Sequence, residues 1–448
     1  MTNNNTDLFE KEPIKSAYFK LALPVVFSMV ISLVYNMVDT FFIAQTQNTD
    51  LVAGVSICAP MFTLMIALGD IFGLGGSSVI SRLFGQKKDE EGKRVSGFCF
   101  YTSIICGILV AIFLLIFQTP ILHLLGAHGN VMQYASSYYT YLAIGTPIIM
   151  ISLTPSNLMR TEGLAVECMI GTVIGSIVNI ILDPIFIFGL HMGAGGAAIA
   201  TVLGNLAADI ILVYFVVKKS KKLTVSYRMI KISREDKIDI FAIGIPASIT
   251  NLMQSFAIAL TNHYLVSYGS DKVAAMGIAM KVDMIVILVM VGFAFGAQPL
   301  LGYNYGAKNW DRLKKIIRFD IIVQLIFSIV LSIILAIFAP AIIRMFMKKD
   351  SFVTAGSTIL RCLLVTTPCI GIILVFTTLF QSAGKAVQAC ILSISRQGIV
   401  FAASILLLYQ LAGYYGVICA QAASDLITLL IAVGLYRSFA RRVVNIDK

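Results

Sequence analysis

Two aspartates in strongly apolar surroundings are the residues of this sequence best placed to do chemistry. Asp39 falls in Val34-Tyr35-Asn36-Met37-Val38-Asp39-Thr40-Phe41-Phe42-Ile43, and Asp183 in Asn179-Ile180-Ile181-Leu182-Asp183-Pro184. Tyr35 precedes Asp39 by one helical turn and Asn179 precedes Asp183 by one, the spacing that puts each pair on one face of a helix. A carboxylate kept from water beside hydroxyl and amide groups takes up a proton, a sodium ion or a cationic organic molecule, in competition for the same oxygens. At about 1.5 Å per residue, Asp39 and Asp183 both lie roughly 27 Å from the inner end of their apolar runs, and Tyr138 and Thr201 reach a similar depth in theirs. The expected proton- or cation-coupling set is therefore Tyr35, Asp39, Tyr138, Asn179, Asp183 and Thr201, with Asp39, Asn179, Asp183 and Thr201 as the oxygen donors if the ion is sodium. Pro184 removes a backbone donor directly after Asp183 and loosens the helix there.

The elements that must position these groups span a membrane. The chain has 448 residues, 58% hydrophobic and 13% charged, with a mean hydropathy of +0.88. Soluble domains carry about 25% charged residues, so a soluble enzyme of this length is excluded. Twelve apolar runs approach or exceed the roughly 20 residues that cross a hydrocarbon core: 21–44, 51–81, 95–117, 131–153, 165–188, 194–217, 238–266, 272–303, 316–338, 354–377, 388–410 and 415–437. Strand-like alternation is absent, which predicts an all-α polytopic membrane protein. The first run follows a polar segment without a small-residue cleavage site and is expected to stay as a transmembrane helix. The eight cysteines are scattered in apolar stretches, neither a disulfide framework nor a metal site, and the histidines fall near outer helix ends. No phosphate-binding loop is present to use ATP.

Basic residues set the orientation. With the amino terminus inside, 28 of the 34 lysines and arginines fall on inner segments, among them Arg82, Lys87, Lys88, Lys218–Lys237, Lys308, Arg312, Lys385, Arg396, Arg437, Arg441, Arg442 and Lys448. Lys272, Arg344, Lys348 and Lys349 fall outside, the group at Lys348 against the rule. Both termini are thus expected in the cytoplasm, and the net charge of +11 faces anionic lipid, with no call for nucleic acid.

Sliding the chain by 221 residues aligns Asp50 with Asp271, Gly75 with Gly296, Gly85 with Gly306, Lys87 with Lys308, Pro147 with Pro368 and Gly163 with Gly384. Six spans per half give parallel repeats related by a pseudo-twofold axis along the membrane normal, the layout of an alternating-access transporter. The expected organisation is an N-terminal six-helix lobe (1–217), a basic cytoplasmic linker (218–237) and a C-terminal six-helix lobe (238–448). Ser233 and Asp236 form a capping box, and the linker reads as an amphipathic helix on the inner surface feeding span seven.

Eight charged residues are assigned to the spans: Asp39, Asp70, Asp183, Asp209, Asp283, Asp425, Lys281 and Arg361. The repeat positions opposite Asp39 and Asp183 lie close to Thr261 and at Ser404, so a symmetric scaffold does not explain the two acids. Asp70 and Asp209, nearer the inner half, read as interhelical ties. Lys281 and Asp283 stand as cleft or substrate residues, and the methionines suit an adaptable ligand surface.

The Tyr35–Asp39 and Asn179–Pro184 stretches and the paired Gly85 and Gly306 loops resemble the multidrug and toxic compound extrusion (MATE) family, in its DinF-like, MepA-like bacterial branch, across both halves. The resemblance implies antiport of small amphipathic, cationic drugs against protons or sodium ions, by two rocking six-helix lobes in an inner or plasma membrane, without an enzyme activity or an organic cofactor. It implies coupling at the six residues named above and a bend of span one at Pro24. Where a related branch carries a span-seven glutamate, this chain has Gln254, which argues against a sodium site of that type and leaves Gln254 as a cleft residue. A monomer is expected. The rival is a lipid-linked sugar flippase of the same broader superfamily, which should line its cleft with several cations; by the assignment above only Lys281 and Arg361 lie within spans.

Overall fold

The computed structural model describes residues 4–446, with side-chain environments for 6–269 and 271–441. Arg442 and Lys448, counted above among the inner cations, lie outside the described side chains. Among the described residues the chain is helical and has no strand: α1 (Asn4–Glu10), α2 (Ile14–Gln45), α3 (Thr49–Ile57), α4 (Ala59–Gly85), α5 (Asp89–Ile116), α6 (Gln118–Leu124), α7 (Gly129–Arg160) and α8 (Ala165–Pro184). There follow α9 (Gly193–Lys218), α10 (Arg234–Leu265), α11 (Ser270–Gly306), α12 (Trp310–Phe346), α13 (Asp350–Val365), α14 (Thr367–Ser382), α15 (Ala386–Ile394) and α16 (Val400–Ile446).

Among the described residues, ten helical stretches are long and apolar enough to cross a membrane. The pair α13–α14, bent by 41° just ahead of Pro368, makes an eleventh. The stretch Ala386–Arg441 holds two spans, because Gly413 takes φ 55° and breaks α16, a conformation that glycine adopts without steric cost. The twelve expected runs are all present. Isoleucines on the outer faces of α5 (Ile105, Ile112, Ile116) and α12 (Ile326, Ile333, Ile337) are exposed, as a lipid-facing belt requires. All eight cysteines are free; Cys58, Cys99 and Cys168 are buried and the other five half-buried.

The repeat is written into the backbone. Lys87 and Lys308, 221 residues apart, both turn the chain through positive φ (62° and 56°), as do Gly163 and Gly384 (88° and 70°). The linker departs from expectation. There is no separate surface helix: 219–233 is irregular apart from one turn at Tyr227–Met229, and α10 starts at Arg234 and runs straight into span seven. Its cap is as predicted, Ser233 accepting from the Asp236 amide at 3.0 Å. Hydrogen bonds hold the linker to the N-terminal half, where Glu162 accepts from the Lys221 amide at 2.8 Å and Tyr101 donates to the Val225 carbonyl at 2.8 Å. These polar contacts offer an extended segment what an amphipathic helix would find in lipid.

The two halves meet where α4 packs on α10 and α11, and α2 on α11. Contact is closest at glycines. A Cβ built on Gly85 would lie 2.1 Å from the Tyr303 carbonyl oxygen, and one on Gly306 2.2 Å from that of Arg82. Gly75 and Gly244 make equivalent approaches to Ile240 and Ile71. Among the described residues, the hydrogen bonds between the halves concentrate toward this same end, including Arg82 Nη2 to Asp239 at 2.7 Å and Ser78 Oγ to the Gln381 carbonyl at 2.5 Å; one, Asn251 to Asp70 at 3.4 Å, lies mid-span. At the other end Met37 and Phe41 of α2 and Leu252 and Phe256 of α10 are exposed. The molecule is sealed at the end rich in Lys and Arg and open at the opposite one. Helix α2 is continuous through Pro24, which leaves the Lys20 carbonyl without its usual helical donor.

The short α1 straps the sealed end. The Glu10 carboxylate accepts from Lys87 of the first half and, at 2.6 Å, from the Tyr303 hydroxyl of the second. Phe9 stacks on Tyr303 at 5.0 Å, and Arg312 Nε donates to the Phe9 carbonyl at 2.9 Å. Burial acts to raise the Glu10 carboxyl, but the Lys87 and Tyr303 hydrogen bonds together hold it below the usual carboxylate range. The strap is therefore intact at neutral pH and lost only as pH falls through that lowered value. Glu10→Gln is expected to raise hydrogen–deuterium exchange at 78–85 and 300–306 by about two- to fivefold, the scale of a half-exposed ion pair; unchanged exchange would refute the strap.

Candidate functional site

In the N-terminal half the site is built where α8 and α9 come unusually close. A Cβ on Gly204 would meet the Asn179 Cβ and the Gly175 carbonyl oxygen, each at 2.8 Å. This approach sets Asn179 and Thr201 along one cavity of about 230 Å³, bordered also by Tyr35, Asn36, Ser152 and Asn205. Immediately after Asp183-Pro184 the helix widens into a π-turn, Ile185–Gly189; such turns free backbone groups and are frequent at functional sites.

The structure brings all six expected residues to this region. The Asp39 and Asp183 carboxyls come within hydrogen-bonding reach of one another, and Tyr35 and Tyr138 stand beside both. Asp183 is fully buried, and Asn179, Thr201 and Tyr138 nearly so. Yet Asp39 Oδ1, both Asp183 oxygens and both Asn179 side-chain polar atoms are buried without a hydrogen-bond partner. Two facing carboxylates have no proton to share unless one is protonated or a cation bridges them. Among the described residues no group of three or more His, Cys, Asp or Glu is arranged to hold a metal ion. A sodium ion would have to draw on the Asn179 amide and Thr201 hydroxyl oxygens as well, and the oxygen-only donor set fits such a hard cation.

The remaining charges divide. Asp70 accepts from Asn251 at 3.4 Å across the two halves, a tie of the expected kind. Asp209 is buried one turn beyond Asn205 on α9, facing Ser152 of α7, and its two oxygens lack a close hydrogen-bond partner. Arg361 is exposed and donates to the Ala336 carbonyl at 3.0 Å, away from any cleft. Two charges were missed. Asp320, inside the ninth run, is fully buried and accepts from the Tyr18 hydroxyl at 2.7 Å, tying α2 to α12. Arg396, counted with the inner segments, is inside the membrane: it sits in a π-turn at Ser395–Ile399 and pairs with Asp425 at 3.0 Å. Both lie within apolar runs, so the signal was in the sequence, masked by Arg318 in one case and by Lys385 in the other.

The second half holds its own cavity, of about 270 Å³, bordered by Gln254, Lys281 and Asp283 together with Arg396 and Asp425. Thr366 and Gln421 complete the Asp425 shell, at 3.1 and 3.0 Å. The three residues expected at a cleft thus share one space, although Lys281 and Asp283 are two apart on α11; the cavity wraps far enough round the helix to touch both.

Two six-helix halves, sealed at one end, open at the other, each with a polar pocket inside an apolar shell, define a polytopic membrane protein of the transporter class. The chain belongs to the MatE family: the family model matches residues 24–185 and 246–406, one segment in each half. It is 29% identical over 441 residues to the multidrug export protein MepA of Staphylococcus haemolyticus (strain JCSC1435), covering 98% of this chain and 97% of that one. MepA of Staphylococcus aureus (strain NCTC 8325 / PS 47) is 30% identical over 432 residues, covering 94% and 95%. Among solved structures, one described as the outward-facing conformation of a multidrug resistance MATE family transporter of the MOP superfamily superposes with a TM-score of 0.93 at 25% identity over the whole of both chains. A MOP superfamily transporter from Pyrococcus furiosus, whose binding pocket is described as of reverse polarity, gives 0.91 at 26% identity, also over the whole of both chains.

Proposed function

We propose that this protein is a secondary active exporter of small amphipathic, cationic molecules, exchanging them for H+ or Na+ by alternating access. It acts as a monomer in the inner or plasma membrane, with both termini cytoplasmic and the sealed, basic end facing the cytoplasm. The observation that carries the reading is the Asp39–Asp183 pair with Asn179, whose buried polar atoms have no protein partner and lie inside one lobe beside an open cleft. Ion binding there neutralises the pair and biases the two lobes, 1–217 and 238–448, about the 218–237 linker. The MepA relatives are multidrug export proteins, which agrees with this reading. A lipid-linked sugar flippase is less well supported, because Arg396 is engaged by Asp425 and Arg361 points elsewhere, which leaves Lys281 as the free cation bordering the described C-terminal cavity.

The test is transport in proteoliposomes loaded with a fluorescent organic cation. An imposed pH gradient or an imposed sodium gradient should drive dye movement at least about tenfold above the ungraded control, a shift of about 1.4 kcal/mol or more in driving force. The gradient that works identifies the ion; movement under neither removes the antiport reading.

A further inference from the structure

We infer that the N-terminal lobe carries two protons in each transport cycle, one shared by Asp39 and Asp183 and the second on Asp209, so that one monovalent substrate is exchanged for two protons. This rests on the exporter reading, with the proton as its ion, and adds to it a residue and a stoichiometry. Asp209 is 7% exposed, and both its oxygens are buried without a close hydrogen-bond partner. Ser152 of α7 faces it, and no neighbouring charge acts on it. The charged and titratable groups of the helices packed on α9 are engaged or distant. Arg160 of α7 donates to Ser156 at 3.3 Å, and the tyrosines of α7 lie in its outer half. On α8, Glu167 pairs with Lys219 at 2.9 Å, Cys168 donates to the Ser156 carbonyl at 3.2 Å, and Asp183 belongs to the coupling pair. Helices α2 and α3 contribute Tyr35, Asp39 and Asp50 from their outer parts. A carboxylate at Asp209 would be an unpaired charge in apolar surroundings, so the carboxylic acid is the form this site holds. The position 221 residues further on is Leu430, exposed on α16, so the duplicated scaffold does not call for an acid there.

The same cavity joins Asp209 to the coupling pair. Along α9 Asp209 stands about 12 Å nearer the inner end than Thr201, and it follows Ala208, which borders the cavity with Thr201, Asn205 and Ser152. Ser152 Oγ donates to Asn205 Oδ1 at 3.4 Å, and Asn205 Nδ2 to the Thr201 carbonyl at 2.8 Å. With Asn179 these make a row of hydroxyl and amide groups from Asp183 toward Asp209, beside about 230 Å³ of space, room for several waters. A proton can pass between the outer pair and Asp209 along this row. With the inner end sealed, both sites hold a proton. When that end parts and water reaches the inner part of the cavity, each acid gives its proton to water and leaves a solvated carboxylate. Two protons then enter for each monovalent cation that leaves, and one net positive charge moves inward. A single proton would make the same exchange electroneutral, so the second carboxyl is what lets the membrane potential drive export.

The test uses the full-length protein in proteoliposomes and ethidium, a permanently charged monocation, under a fixed pH gradient. A potassium diffusion potential of about 100 mV, negative on the side that receives the protons, is then added; passive leak of the dye runs the other way under it. In the wild type the potential is expected to raise the ethidium accumulation ratio by up to about fortyfold, the effect of one net charge crossing it, and Asp209→Glu should respond alike. Asp209→Asn should still export under the pH gradient but change by less than about twofold when the potential is added, because its exchange moves no net charge. A loss of packing alone would slow both arms together. In the unaltered protein a lipophilic carbodiimide, which attacks protonated carboxyls in apolar surroundings, should label Asp209, located by peptide mass spectrometry; this readout stands even where a variant fails to fold. A wild type blind to the potential, an Asp209→Asn that keeps the full response, or labelling of Asp183 without Asp209 overturns the second proton alone. Ethidium movement driven by a sodium gradient and not by a pH gradient does the same and leaves the exporter reading in place; movement under neither removes that reading with it.

Discussion

Asp39→Asn and Asp183→Asn, made singly, are expected to lower gradient-driven export by at least about a hundredfold while leaving a folded, membrane-inserted protein. Moving a two-state equilibrium from one extreme to the other takes about 5.5 kcal/mol of differential binding. In this molecule the cation that supplies it has to settle on the facing carboxyls of Asp39 and Asp183. Asparagine keeps the volume and the hydrogen-bonding capacity but cannot take up a proton or balance a sodium ion, so the ion loses its preference for one state. The measurement is drug-evoked ion flux in proteoliposomes, with thermal unfolding to verify the fold. Full flux in both variants would show that the pair is a buried structural contact and nothing more.

The second large effect belongs to the seal. Gly85→Val or Gly306→Val should drive the sealed ends apart and bring transport close to background. Each glycine accepts a carbonyl oxygen where its Cβ would stand, at 2.1 and 2.2 Å, and backbone on both sides cannot yield as a flexible side chain would. The cost of overpacking is typically about 1–3 kcal/mol, which is five- to more than hundredfold in the ratio of the two states. Spin labels on the inner ends of the lobes, at Arg94 and Lys315, should report a longer distance in the variants. Gly434→Val is the control, since a Cβ there meets nothing within 4 Å. Distances and transport that match wild type in all three would show that the helices slide to make room.

Hydropathy and the repeat were enough to expect the spans, the two lobes and the depth shared by Asp39 and Asp183, because membrane insertion and duplication both act on long stretches of chain. Pairing acts on single atoms and was less legible. A window that averages over a turn sees Arg396 as a charge near Lys385, whereas its guanidinium is spent on Asp425, 29 residues away. Asp320 is likewise read as a neighbour of Arg318, when its partner is the hydroxyl of Tyr18. The linker misled for a related reason: its basic residues look amphipathic on paper, but Glu162 and Ser96 offer backbone hydrogen bonds that no local pattern announces. The Gly413 break left no mark beyond a glycine between two apolar runs.

The seal also has a thermal side. The core cluster that contains it draws Phe72, Ile80 and Phe84 from one repeat and Ile240, Leu300 and Phe376 from the other, all nearly inaccessible to solvent. Parting the lobes at that end must wet apolar surface that is dry here, and wetting apolar surface raises heat capacity. Closing the opposite end over Met37, Phe41, Leu252 and Phe256 dries apolar surface in exchange, so the imbalance between the two areas sets the heat-capacity difference between the states, and with it how temperature moves the empty protein between them.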